Sequence, residues 1–296
     1  MKKTIAVIGA GKWGRAIHYA ISQRYDCKIT SRKKRVIENF VSLNEALLCD
    51  YLVIALPAQI VRKWLTDNFK YKNQSILVAA KGIEKDTGAF LNEIYAEFLP
   101  EKNLAFLSGP SFAAEVMKSL PTCVVVNSKN EPLAKDFASF FPDFIKTYTS
   151  DDVIGAEICG AYKNVLAIAS GICDGLELGN NARASLISRG LIEMRRFGKF
   201  FGAKDETFLG LSGAGDLFLT ASSKLSRNYR VGLGLAKGKS IKVVLEELTE
   251  VAEGVFTTDA IKKLSTKHGI YTPIVDEVYD ILRGKSVEQS LKDLLS

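Results

Sequence analysis

The sequence predicts an α/β fold class: an N-terminal Rossmann-like, doubly wound, mostly parallel sheet, followed by an all-α C-terminal domain. Three observations predict it. Short β-branched runs alternate with helix-length segments up to residue 150, strand candidates disappear beyond that point, and a glycine cluster stands between the first strand and the first helix. Strands that alternate with helices are joined by crossovers lying on the sheet faces, which makes neighbouring strands parallel and buries both faces. A chain of 296 residues is long enough for two cores, and the domains are drawn as 1–150 and 151–296.

The strand candidates are 4–8, 27–30, 51–56, 75–79, 104–107, 122–126 and 144–147, several of them apolar throughout. Helical segments lie between them, including 12–24 and 131–140. Ser150, Asp151 and Asp152 form a helix N-cap cluster. The segment after it, 156–171, is rich in Ala, Ile, Leu and Val around most of its circumference and reads as a buried helix. Further helices are expected at 183–197, 229–236, 241–248, 257–267 and 274–282.

Composition is that of an ordinary globular protein, with 47% hydrophobic and 25% charged residues. No apolar run is expected to reach the length of a bilayer span, and the glycines that break the first apolar run argue against a signal peptide. The net charge is +7, yet Lys and Arg are spread along the chain, with one tight cluster at Arg32, Lys33, Lys34 and Arg35. Anionic small molecules explain that excess as well as nucleic acid would, and no nucleic-acid-binding module is recognised. The cysteine number is odd, no CxxC pair exists, and only His18 and His268 could join a ligand set. The expectation is a reduced, metal-free, cytoplasmic protein.

Gly9-Ala10-Gly11-Lys12-Trp13-Gly14 is a GxGxxG that follows a strand and opens a helix whose Ala16, Ile17, Ala20 and Ile21 face one side. In that context the glycines permit a tight turn, backbone approach to a pyrophosphate and close helix–sheet packing. The phosphates then meet free N–H groups at the positive end of the helix dipole. Sites that prefer NAD place an acid about 20 residues after the glycines, on the ribose 2′-hydroxyl. Here Arg32 and Lys33 occupy that turn, which favours NADP while leaving NAD possible. A solvated basic helix start is the plainer reading of the same residues.

Ligands of such sheets lie outside the carboxyl ends of the strands. Lys81 sits just past one strand, and Gly109 and Ser111 lie in the turn after another. Lys163 lies inside the apolar helix, between Tyr162 and Asn164. Burial disfavours a charged lysine and suits it to proton transfer at a carbonyl. A structural lysine that snorkels or pairs with Glu157 is the equal alternative.

Taken in order, GAGKWGRA at the start, KGIEK at 81–85, SGPSFAAEV at 108–116, AYKNVLAIASGICDGLELGNNARA at 161–184, GLSGAGDLFLTASSKLSRNYRVGLGLAKG at 210–238 and VAEGVFTTDAI at 251–261 resemble the bacterial-type NAD(P)-dependent glycerol-3-phosphate dehydrogenases over nearly the whole chain. The resemblance implies reversible reduction of dihydroxyacetone phosphate to sn-glycerol 3-phosphate, feeding phospholipid synthesis, by an enzyme that is often a homodimer. It implies that Lys163 exchanges the proton on the substrate oxygen and that Lys81, Gly109 and Ser111 contact substrate. Asp216 and Thr220, four residues apart on one helical face, would orient the lysine and the substrate hydroxyls. Ser226, Arg227 and Asn228 would hold the phosphate. Ala113, Val251 and Glu253 would join Gly9, Gly11, Lys12, Trp13, Gly14, Arg32, Lys33, Lys81 and Arg227 in contacting the cofactor.

The stretch between Arg32 and the next strand is shorter than is usual for that family, which thins the adenine side of the pocket. Other readings are a hydroxyacid or ketopantoate reductase, which would need a carboxylate site, and a dinucleotide sensor that has lost catalysis. The complete set of lysines and the Ser-Arg-Asn triplet argue against both.

Overall fold

The structure, a computed structural model, describes residues 3–248 and 252–295. Its first half runs β1 (Ile5–Ile8), α1 (Lys12–Ser22), β2 (Cys27–Thr30), α2 (Leu43–Ala46), β3 (Tyr51–Ile54), α3 (Val61–Asn68), β4 (Ser75–Val78), α4 (Leu91–Ala96), β5 (Leu104–Ser108), α5 (Ala113–Val116), β6 (Thr122–Asn127), α6 (Glu131–Ala138) and β7 (Ile145–Ser150). The seven strands form one sheet in the order β2-β1-β3-β4-β5-β6-β7. All neighbours are parallel except β5 and β6. Every strand expected from the sequence is present, 27–30 with the same ends and the others with shifted ends.

Register follows the apolar pattern. Val7 lies opposite Ile29 on one side and Val53 on the other, and Val53 lies opposite Leu77. All four are fully buried, and burial of each side chain stabilises the sheet by about 1.5–3 kcal/mol. Because β1 is flanked by β2 on one side and β3 on the other, winding reverses at its carboxyl end. That crevice is where such sheets take ligands, and Gly9 opens it.

Between β2 and β3 the chain makes a single parallel bridge, Ile29 to Phe40, before the one-turn helix α2. Arg32, Lys33, Lys34 and Arg35 are exposed and non-helical, so the basic run does not start a helix.

After β7 the described residues are helical: α7 (Val153–Gly175), α8 (Gly179–Phe200), α9 (Asp205–Leu209), a π-turn at Leu211–Gly215, α10 (Asp216–Ala221), α11 (Arg227–Ala236), α12 (Ile241–Leu248), α13 (Glu253–His268), α14 (Pro273–Ile281) and α15 (Val287–Leu295). The expected cap cluster starts α7, with Asp152 Oδ1 accepting from the Gly155 N–H at 3.0 Å. One sequence expectation is corrected here. At 23 residues α7 does have the length and apolar composition of a bilayer span, and 89% of its most apolar window is buried within the protein. It passes the apolar test because it is a core helix covered on all sides.

The chain divides into two compact units, Met1–Lys81 with Leu91–Ala156, and Gly82–Phe90 with Glu157–Ser296. The short Gly82–Phe90 segment therefore belongs to the helical unit, although it is inserted between β4 and α4. Within that unit α7 and α11 cross with backbones in contact. A Cβ on Gly171 would lie 2.1 Å from the Tyr229 carbonyl oxygen, and one on Gly232 would lie 2.0 Å from that of Ile168. This crossing fixes Lys163 of α7 and the start of α11 in one rigid frame.

Candidate active site

The glycine turn has three mechanically different members. Gly9 has φ +107°, and a Cβ there would come within 2.6 Å of the Ala55 carbonyl oxygen. A Cβ on Gly14 would stand 1.8 Å from the Gly9 carbonyl oxygen, because α1 packs directly on the turn. Gly11 is different: nothing lies within 4 Å of its Cβ direction. Gly11 is also the N-cap of α1, with no side-chain cap and no acid in the first turn. The N–H groups that open α1 are thus offered without a competing carboxylate, as an anionic pyrophosphate requires. Ala16, Ile17, Ala20 and Ile21 are buried, as their spacing predicts.

Lys12 is exposed at the first position of α1. Trp13 turns inward, and its Nε1 donates to the Ala79 carbonyl at 3.2 Å, tying the glycine turn to the end of β4. Two residues further on, Lys81 Nζ donates to the Gly109 carbonyl at 3.3 Å. Ser111 Oγ donates to the same oxygen at 3.1 Å. The structure thus brings Lys81, Gly109 and Ser111 together past the ends of β4 and β5. Ala113 opens α5 and packs against the core of the same unit. Arg32 and Lys33 stand apart, past the end of β2, where Ser31 Oγ donates to the Lys33 carbonyl at 2.8 Å.

In the helical unit Lys163 is 7% exposed and Asp216 is 2% exposed. Lys163 Nζ donates to Asp216 Oδ1 at 2.5 Å and to Thr220 Oγ1 at 3.1 Å, and Thr220 Oγ1 is 3.3 Å from the same carboxylate oxygen. The acid that meets this lysine across the fold is Asp216, on a different helix. Asp216 and Thr220 meet Lys163 because both lie on one face of α10. The glycine-rich π-turn before α10 sets that face, and such turns recur at functional sites. A buried cation held by a carboxylate and a hydroxyl keeps Nζ immobile and aimed.

Ser226, Arg227 and Asn228 open α11 but do different work. Ser226 is the N-cap, its Oγ accepting from the Tyr229 N–H at 3.2 Å. Asn228 is buried, and its Oδ1 accepts from the Gly254 N–H at 3.0 Å, pinning the start of α13 to α11. Arg227, at the first position of α11, is exposed. Glu253 lies in the first turn of α13. Val251 lies outside the described residues.

Two residues next to this machinery were not singled out in the sequence. Tyr162 OH donates to Glu193 Oε1 at 2.8 Å. The same carboxylate accepts from the N–H groups of Ile274 at 2.9 Å and Val275 at 3.1 Å, capping α14. Glu193 is 2% exposed, and burial pushes its carboxyl above the ordinary value. The signal was present: Glu193 shares a helix face with Gly190, Met194 and Phe197, all buried. An acid on an apolar face needs a partner.

An α/β unit with an open glycine turn at its switch point, joined to a helical unit with a caged lysine, defines the class of two-domain Rossmann dehydrogenases. Comparison with known proteins narrows the class. The model of the NAD-dependent glycerol-3-phosphate dehydrogenase N-terminus matches residues 33–134, and that of its C-terminus matches residues 152–292. A glycerol-3-phosphate dehydrogenase, NAD(P)+, of Campylobacter jejuni is 64% identical over 98% of both chains. Its counterpart in Sulfurimonas denitrificans is 62% identical over 99% of both. Among solved structures, glycerol-3-phosphate dehydrogenase of Coxiella burnetii superposes with a TM-score of 0.91 at 33% identity, over 100% of this chain and 99% of that one. The chain belongs to the NAD-dependent glycerol-3-phosphate dehydrogenase family.

Proposed function

We propose that this chain catalyses the reversible NAD(P)H-dependent reduction of dihydroxyacetone phosphate to sn-glycerol 3-phosphate. The observation that carries the reading is the buried contact of Lys163 with Asp216 and Thr220. The α/β unit is the dinucleotide domain and the helical unit carries the carbonyl chemistry. Gly11, open where Gly9 and Gly14 are closed, fits a pyrophosphate. The exposed cations Arg32 and Lys33 suit a 2′-phosphate, so NADP is preferred and NAD accepted. Lys12, Trp13, Lys81, Ala113, Arg227, Val251 and Glu253 complete the cofactor contacts.

The dinucleotide supplies and takes back a hydride. As the carbonyl is reduced its oxygen becomes an alkoxide, and Lys163 Nζ places a proton on that oxygen. Oxidation of glycerol 3-phosphate runs the proton back to Nζ. Asp216 and Thr220 hold Nζ in line, so little reorganisation accompanies the transfer. Arg227, with the first N–H groups of α11, offers the phosphate dianion a cation and oriented donors. Ser226 and Asn228 shape that helix start, and Lys81, Gly109 and Ser111 position the triose. The same reading includes a homodimer working in the cytoplasm, with no metal and no nucleic-acid partner, in keeping with Lys and Arg that are spread along the sequence.

The test is oxidation of NADPH and of NADH with dihydroxyacetone phosphate, with dihydroxyacetone and with ketopantoate. Turnover with the triose phosphate and none with the phosphate-free ketones is expected. Faster turnover of a phosphate-free acid overturns the reading.

A further inference from the structure

The segment that follows Lys81 is built more firmly than a connection needs to be. Gly82 has φ +146°, a conformation that side chains rarely adopt. Ile83 and Phe90 then form an antiparallel bridge, closed by the Glu84 N–H on the Ala89 carbonyl at 3.0 Å. Several ties bind this hairpin to the rest of the helical unit. Lys85 Nζ pairs with Asp259 Oδ2 of α13 at 2.9 Å. Lys263 Nζ donates to the Asp86 carbonyl at 2.6 Å. The Phe90 ring meets the edge of Phe201 at 5.2 Å between centroids.

Asp259 is the hub of this anchor. Its other oxygen, Oδ1, accepts from Arg283 Nη2 at 2.5 Å, and the Arg283 guanidinium stacks over Tyr279 at 3.5 Å. The Asp259 side chain is 14% exposed, against 45% for Lys85. The carboxylate is therefore fixed from the α14 side, and the lysine of the hairpin is what it holds. Lys81 stands one residue before this anchored hairpin and three after Val78, the last residue of β4. Lys81 is thus bonded directly to the first residue of the hairpin.

We propose that Asp259 is a positioning residue for Lys81, acting through Lys85 and the Gly82–Phe90 hairpin. The proposal rests on the reading that Lys81 contacts the triose phosphate. An ion pair with one half-exposed partner adds little to global stability, but a small displacement of a binding group costs a great deal in a site where geometry is prepaid.

The experiment uses the full-length enzyme and the variants Lys85→Met, Asp259→Asn, Asp259→Glu, Arg283→Gln and Lys81→Ala. Lys85→Met and Asp259→Asn should each raise KM for dihydroxyacetone phosphate by about threefold to tenfold, with the Kd for NADPH and Tm near those of the parent. Asp259→Glu should restore most of the loss, and Arg283→Gln, which loosens the carboxylate without removing it, should raise KM less than Asp259→Asn does. Added to Lys81→Ala, Lys85→Met should cost nothing more, because the group it positions is gone. A KM that rises in Lys81→Ala and stays put in Lys85→Met and Asp259→Asn overturns the proposal. So does an equal rise in Arg283→Gln, or a Lys85→Met effect that persists without Lys81. An unchanged KM in Lys81→Ala overturns the underlying reading of that lysine instead.

Discussion

Lys163 and Asp216 meet at 2.5 Å between Nζ and Oδ1, across two helices and almost wholly out of water. Such a pair contributes little net stability, but removing one partner strands a buried charge. Lys163→Ala should lower kcat by about 10²–10⁴-fold while leaving the Kd for NADPH nearly unchanged, as read by fluorescence titration and steady-state kinetics. Parallel loss of both would make the lysine structural. Asp216→Asn should lower kcat and also destabilise the fold by about 3–5 kcal/mol, visible as a drop in Tm.

The glycine turn predicts two substitutions with opposite signatures. Gly14→Ala drives a Cβ against the Gly9 carbonyl, so both Tm and NADPH affinity should fall. Gly11→Ala meets nothing within 4 Å in the protein. It should keep the parental Tm and bind NADPH roughly tenfold less well, since only the close approach of the pyrophosphate is obstructed. Unaltered affinity in Gly11→Ala would place the dinucleotide elsewhere.

Arg227 is exposed at the first position of α11, so its loss should spare the fold. Arg227→Ala should raise KM for dihydroxyacetone phosphate by roughly tenfold to a hundredfold, the worth of one charge-assisted contact, with a smaller change in kcat. An unchanged KM removes Arg227 from the phosphate site.

Glu193 makes stability depend on pH. Burial raises its carboxyl above the ordinary 4.5, so between 4.5 and the raised value the folded chain binds more protons than the unfolded one. Stability then falls as pH rises through that window. Its contribution is complete below 4.5 and is lost above the raised value. Thermal unfolding of Glu193→Gln and the parent from pH 4 to 7 should show the parent losing the larger share of Tm on the alkaline side. Parallel curves would mean that burial does not perturb this carboxyl.

The sheet was legible because its strands are apolar runs set off by turns, and local composition is enough to mark them. Helix ends were less so. The helix foreseen at 183–197 begins at Gly179, where no side-chain cap announces it. The helix foreseen at 257–267 begins at Glu253, and the tie there runs from the Gly254 N–H to Asn228, 26 residues away. A cap supplied from a distant helix leaves no mark in the neighbouring residues. The same holds for the pairing of Lys85 with Asp259.

By itself the sequence determined the order of the strands along the chain, the glycine turn at the first of them, the family and the residue types available for chemistry. These depend on short-range patterns: period, spacing and the identity of a few residues in order. That Asp216 meets Lys163 was decided only in the tertiary structure, because the two are 53 residues apart in sequence. Helices α7 and α11 meet through backbones that only glycine lets approach. Packing at that distance chooses the partner on steric and dielectric grounds that no local pattern records.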